Sequence, residues 1–270
     1  MSPPIDFDTP FDPSFRPDRH IEDVNEIIGE LDDRVGVNPA QPADPNYASV
    51  SSAWAWEKEQ FSKICRLLIT YADGGSDIAS GVFIEPRVIL TAAHCLYSLA
   101  RRQLAQRVII QPGYSVRNGT FAKPAIQIGP ESLRVPQEYM DDGESTLEHD
   151  YGVILLGTDY PGGCHEVATL NDAALRRAQL FIVGYPQDKS QGNEQYIGKG
   201  NIRDLGPQQL LYTVDTMPGQ SGSGIFVWMK SRPAVVGVHG DGNSKEDNVG
   251  VRLSTQVLEQ IRKWKVAQCG

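Results

Sequence analysis

Three stretches of this 270-residue chain carry side chains that could act together. TAAHC (91–95) places His94 straight after the apolar run RVIL. EHDYGVILL (148–156) places Asp150 immediately before a second apolar run, with His149 read as incidental. PGQSGSG (218–224) sets Ser221 in a glycine-rich turn between two apolar runs. Each alone has an ordinary structural explanation: a histidine hydrogen-bonded at a strand end, an aspartate at a strand boundary, a small residue in a turn where glycine supplies positive φ. Together they match what nucleophilic catalysis by serine needs. That is a base, a group orienting the base, and backbone donors for a developing oxyanion. The order His94, Asp150, Ser221 is one of the known chain orders for such a triad.

Those residues must be held by something rigid. Short runs rich in Val, Ile, Tyr and Phe, bounded by Gly, Pro, Asp and Asn, predict strands at 64–71, 80–84, 87–93, 107–113, 125–129 and 151–156. The same pattern continues at 181–185, 209–215, 224–228, 234–240 and 249–253. Such spacing, without long alternating helices, points to an all-β barrel or sandwich fold. Two helices are predicted. SLARRQLAQ (98–106) is short. STQVLEQIRKWKV (254–266) can be capped by Ser254 or Thr255 and places Val257, Ile261 and Trp264 on one face.

Bulk properties remove several classes. A net charge of −9 argues against nucleic-acid partners. No run of 18 apolar residues exists, so no membrane span is expected. The start MSPPIDFDTP has neither a basic nor an apolar stretch, and is not a signal peptide as written. Residues 1–26 hold five prolines and seven acidic residues against two arginines, a composition poorly suited to a core. Cys65, Cys95, Cys164 and Cys269 lack zinc spacing, so no metal is expected, and no cofactor is implied. The four cysteines allow three pairings.

TAAHC, HDYGVILL and GQSGSG resemble the His, Asp and Ser motifs of the chymotrypsin-like serine proteases. The similarity runs from about residue 27 to the end. It implies an all-β fold of two six-stranded antiparallel β-barrels with the site between them and a C-terminal α-helix. Residues 27–160 would form the N-terminal barrel carrying His94 and Asp150. Residues 161–270 would form the C-terminal barrel carrying Ser221, plus the helix. The resemblance makes His94 the general base, Asp150 its orienting partner and Ser221 the nucleophile. Gly219 and Ser221 would supply the oxyanion hole.

The ending GQSGSGIFVWMKSRPAVVGVHGDGNSKEDNVGVRLS is similar to the glutamyl endopeptidases of the staphylococcal and bacillus type. It shares their SGS after the nucleophile, their Gly-x-His strand and their closing Asn-x-Gly strand. IIGELDDR, with its Asp33-Arg34 pair, resembles the N-terminal segment of mature members. His239 and Thr216 would then line a pocket for acidic side chains, Glu above Asp. A bound carboxylate would raise the His239 pKa and keep it charged. The alternative for His239 is simple packing in a barrel strand. Mature relatives also use a freed α-amino group to bind the substrate carboxylate. Here it would belong to Ile27, which follows Glu26, so residues 1–26 are expected to be a propeptide.

Asp215 lies six positions before Ser221, where relatives cutting after Arg or Lys carry a pocket carboxylate. Asp-Thr also occurs there in the glutamyl branch, so Asp215 alone does not discriminate. Two alternatives therefore stand beside a glutamyl endopeptidase: a trypsin-like enzyme using Asp215, and a catalytically silent binding protein on a protease fold. Gln220 stands where trypsin-like enzymes pair an Asp with their new N-terminus. It has no charge, so that activation switch is not expected. The resemblance also implies protein or peptide substrates, a secreted monomer, and a disulfide at Cys95. The usual partner position holds Ala79, leaving Cys65 for Cys95 and Cys164 for Cys269, with free thiols as the other option.

Overall fold

The computed structural model describes residues 47–49, 60–115, 125–142, 147–229, 232–240 and 247–269. Residues 1–26, Ile27 and the Asp33-Arg34 pair lie outside the described residues, and so do the expectations attached to them. A short strand, β1 (Tyr47–Ser49), comes first. An antiparallel sheet follows with β2 (Ile64–Thr70), β3 (Ser76–Glu85) and β4 (Val88–Thr91). After a helical turn, α1 (Ala93–Leu96), come the hairpin strands β5 (Tyr97–Ser98) and β6 (Gln103–Leu104). The sheet resumes with β7 (Arg107–Pro112), β8 (Ile126–Ile128) and β9 (Leu133–Arg134). It ends, past α2 (Gln137–Asp142), with β10 (Gly152–Leu155). The spatial order is β8-β7-β2-β3-β4-β10-β9.

The second half contains β11 (Glu166–Val167), α3 (Asp172–Leu175), β12 (Gln179–Gly184), β13 (Tyr196–Leu205) and β14 (Gln209–Tyr212). It continues with β15 (Gly224–Met229), β16 (Arg232–His239), β17 (Asn248–Arg252) and the C-terminal α4 (Thr255–Cys269). Strands β13-β12-β15-β16-β17-β14 run in order, and β14 pairs back with β13, closing a six-stranded antiparallel barrel. The first sheet is curled rather than closed, its end strands being only three and two residues long. The all-β architecture with a C-terminal helix is therefore present, but only the second half is a closed six-stranded barrel, the first being a curled seven-stranded half-barrel. β1 pairs with β13, so Tyr47–Ser49 adds to the sheet of the second half.

The apolar runs read as continuous rather than alternating because both their faces are covered. In β4, Ile89 enters the core of the first sheet while Val88 and Leu90 face the seam between the halves. In β12, Leu180 and Ile182 fill the second barrel while Phe181 and Val183 face the same seam. Val257 and Ile261 of α4 pack onto that seam, with Trp264 partly buried beside them. The Val257 amide donates to Ser254 Oγ at 3.3 Å, the cap the sequence predicts.

One predicted helix is absent. SLARRQLAQ is a hairpin, with Tyr97 opposite Leu104 and Ser98 opposite Gln103. Arg102 turns the chain at φ 53°, outside the helical region. The Ala105 amide donates to Leu96 O at 2.8 Å, closing the hairpin onto α1. Helix propensity is outweighed here by tertiary hydrogen bonding and burial of Ala105. No helix among the described residues is long and apolar enough to cross a membrane.

Candidate active site

The register between β4 and β10 brings His94 and Asp150 together. Gly152 lies opposite Thr91. Asp150, two residues before Gly152, is therefore carried beside the α1 turn that follows β4. Asp150 is 3% exposed. Its Oδ2 contacts His94 Nδ1 at 2.8 Å, and its Oδ1 accepts from the His94 amide at 2.9 Å. Burial pulls the His94 pKa down, while Cys95 and the Asp150 carboxylate push it up, and the net value stands well above the usual histidine. Burial raises the Asp150 pKa, but the charge and hydrogen bonds of His94 bring it below the usual carboxylate.

Ser221 sits half-buried on the loop between β14 and β15. One glycine lets that loop approach the first sheet, and another lets it pass the chain that follows β12. A Cβ on Gly222 (φ +82°) would stand 2.1 Å from Thr91 Oγ1 and 2.3 Å from Ser80 O. A Cβ on Gly219 (φ +94°) would stand 2.4 Å from Tyr185 O. Ser221 is thus delivered one residue from the end of the strand that leads to His94. No hydrogen bond joins Ser221 to His94 among the described residues, a contact that commonly tightens only around a substrate.

The loop's peptide groups are held on their carbonyl sides. Pro218 O accepts from Gln187 N at 2.7 Å, and Gly219 O from Ser80 Oγ at 2.8 Å. Gln220 O accepts from Ser223 N and Ser221 O from Ser80 N, each at 2.9 Å. The Gln220 amide donates to Met217 O and the Gly222 amide to His239 O. Among the described residues the Gly219 and Ser221 amides find no acceptor, which leaves two donors beside the serine for an incoming oxyanion.

The remaining site residues divide clearly. His239, 3% exposed, ends β16, and its amide donates to Ser223 O, stitching this strand to the serine loop. Its Nδ1 lies 2.5 Å from the Tyr212 hydroxyl. Burial first, then the nearby His94 charge, lower its pKa to about 3, so the uncomplexed residue is neutral rather than charged. Thr216 is half-buried next to the loop, whereas Asp215 is exposed. Gln220 is fully buried and accepts from the Met217 amide through Oε1 at 2.9 Å.

Cys65, Cys95 and Cys164 are free thiols, so neither expected disulfide forms. β3 lies between β2, which carries Cys65, and β4, which leads to Cys95. Two residues of this constellation, Ser80 and Tyr212, have no sequence motif. Each is an ordinary strand residue whose partner lies 139 or 27 positions away.

Solved structures share this fold. A Glu endopeptidase crystallised with MPD aligns at a TM-score of 0.68 and 24% identity, over 83% of this chain and 98% of that one. An inactivated protease paralogue of the scabies mite aligns at 0.57 and 15% identity, over 76% and 96%, so the architecture alone does not guarantee catalysis. Residues 79–238 match the trypsin-like peptidase domain, and the chain belongs to that family. The glutamyl endopeptidase of Bacillus licheniformis is 29% identical over 199 residues, 69% of this chain and 59% of that protein. Human serine protease 23 is 23% identical over 215 residues, 68% and 55% respectively. The chain therefore spans somewhat more than half the length of these relatives. A glutamyl endopeptidase thus stands both among the curated relatives and among the solved structures that this chain resembles.

Proposed function

We propose that this chain is a serine endopeptidase that cuts after Glu, and less readily after Asp. Ser221 attacks the scissile carbonyl and forms an acyl-enzyme. His94 takes the serine proton and returns it to the leaving amine, while Asp150 fixes its tautomer and stabilises the imidazolium. The Gly219 and Ser221 amides receive the oxyanion. Water then releases the acyl group by the same steps in reverse roles. The observation that carries this proposal is the two-point hold of Asp150 on His94, together with a serine loop whose Gly219 and Ser221 amides find no acceptor among the described residues.

Glu preference is supported by His239 and Thr216, which border the serine loop, and by the exposure of Asp215, which is not walled into a pocket base. A neutral His239 can donate one hydrogen bond to a carboxylate, and a bound carboxylate favours the protonated ring. The α-amine of Ile27, freed by cleavage after Glu26, would add a positive charge, making residues 1–26 a propeptide. Family similarity also supports a secreted monomer acting on proteins or peptides.

The test is a peptide-library cleavage profile, with the protein's own new N-terminus read in the same run. Cleavage after Glu, its loss in Ser221→Ala, and a start at Ile27 are expected. Cleavage after Arg or Lys would transfer specificity to Asp215. Failure of a fluorophosphonate to label Ser221 would leave a silent binding protein.

A further inference from the structure

We propose that Ser80, on the first sheet, is the positioning residue that holds the oxyanion loop of the second barrel in its working orientation. The inference rests on the catalytic role proposed above for Ser221. Ser80 is fully buried. Its Oγ accepts from the Tyr185 amide at 3.0 Å, and so directs its own proton to Gly219 O at 2.8 Å. Its backbone ties the same loop to β4: Ser80 N donates to Ser221 O at 2.9 Å, and Ser80 O accepts from Thr91 Oγ1, at the end of β4, at 2.8 Å.

Four successive carbonyls, from Pro218 to Ser221, are anchored. Three of those anchors are backbone amides. The fourth, on Gly219, is the Ser80 hydroxyl. Gly219 carries φ +94°, and glycine rotates more freely than any other residue. Without the Ser80 hydroxyl, the carbonyl of the Gly219–Gln220 peptide loses its fixed donor, and rotation about Gly219 swings the adjoining Gly219 amide away from the oxyanion position. Gln220 offers no charge with which an N-terminal amine could order this loop. Ser80 thus takes over, from across the seam, a task that an ion pair would otherwise perform.

The test compares Ser80→Ala with Tyr185→Phe. The second removes a buried hydrogen bond of the same seam, from Gln195 Nε2 to the Tyr185 hydroxyl, without touching Gly219. For Ser80→Ala we expect kcat on a Glu peptide to fall about tenfold to a hundredfold, with KM within about twofold, as for a misplaced catalytic group. Affinity for a peptide aldehyde should fall in step with kcat/KM, because the hemiacetal oxygen occupies the oxyanion position. Tyr185→Phe should lower the melting temperature and keep kcat. Circular dichroism confirms that both variants are folded. If Ser80→Ala fails to fold, Ser80→Cys, of similar size but with a weaker donor, should give a smaller fall in kcat with KM unchanged. Unchanged kcat in Ser80→Ala, or equal losses in both variants, would overturn the inference while leaving the triad intact. A wild-type protein that neither cleaves nor reacts with a fluorophosphonate at Ser221 would overturn both.

Discussion

His94 and Asp150 are joined twice, ring Nδ1 to Oδ2 at 2.8 Å and backbone amide to Oδ1 at 2.9 Å. The second bond fixes the carboxylate plane, so only one oxygen is left for the ring. Asp150→Asn keeps this geometry but reverses the ring's tautomer preference. Its kcat should fall by about 10⁴, with KM little changed, as in other triads. Steady-state kinetics on a Glu peptide checks this. A loss below tenfold would remove Asp150 from the mechanism.

The acid limb of the activity profile should be displaced upward. His94 must be unprotonated to act as base, and its folded pKa is raised above the usual value of about 6.5. Activity is therefore lost as pH falls through a value above about 6.5. The substrate carboxylate is ionised throughout that range, since a Glu side chain titrates near about 4.3. A kcat/KM profile with its acid midpoint below about 6 would contradict the assigned geometry.

Tyr212 should influence substrate choice without touching the chemistry. Its hydroxyl occupies His239 Nδ1, so on the proposed specificity the other ring nitrogen is the one expected to meet the substrate carboxylate. Removing that contact in Tyr212→Phe should lower the kcat/KM ratio of Glu to Gln substrates about tenfold, the value of one hydrogen bond with charged character. His239→Leu should lower it further. The Gln substrate's own kcat/KM is the control and should change little.

Acid should unfold the protein by charging buried histidines. His165 packs edge-on against Phe226, and burial, then Lys63, lowers its pKa to about 3. His239 is lowered to the same value. Below about pH 6.5 the unfolded chain takes up protons that the folded one refuses, so stability is complete above that pH and falls towards pH 3. The loss is on the order of a few kcal/mol per histidine. Melting temperatures from pH 7 to 4 should drop steeply, and His165→Leu should flatten that slope.

Gly222→Ala should abolish activity by pushing the halves apart. Its Cβ has no room beside Thr91 Oγ1 and Ser80 O, and its φ is positive. A fall in melting temperature and loss of fluorophosphonate labelling are expected together. Full activity in this variant would mean that the loop does not seat against β4.

The candidate triad could be proposed from the sequence because each member sits in a contiguous motif beside an apolar strand. The fold was legible for the same reason, through runs such as those of β2, β4 and β12. Strand β13 escaped notice because Gly198, Lys199, Gly200 and Asn201 interrupt its apolar pattern. Gly200 is needed there, since a Cβ would meet Val214 N at 2.6 Å. Ser80 and Tyr212 escaped because a serine or tyrosine on a strand declares no partner, and their contacts exist only after the sheets have formed. Of the two options left open for the thiols the free one is found at Cys65, Cys95 and Cys164, because a family habit of pairing Cys95 says nothing about which strand carries its mate.

The contact of Gly222 with Thr91 has a consequence in time. A growing chain that has completed the first sheet has made a base and its carboxylate, but nothing for them to activate. The serine loop comes later, and its seat includes His239 of β16 as well as β4. A nascent or truncated chain ending before that strand would carry every residue of the proposed triad and still be harmless. On the proposed mechanism, cleavage is therefore expected only once β16 has been made and His239 seats the serine loop.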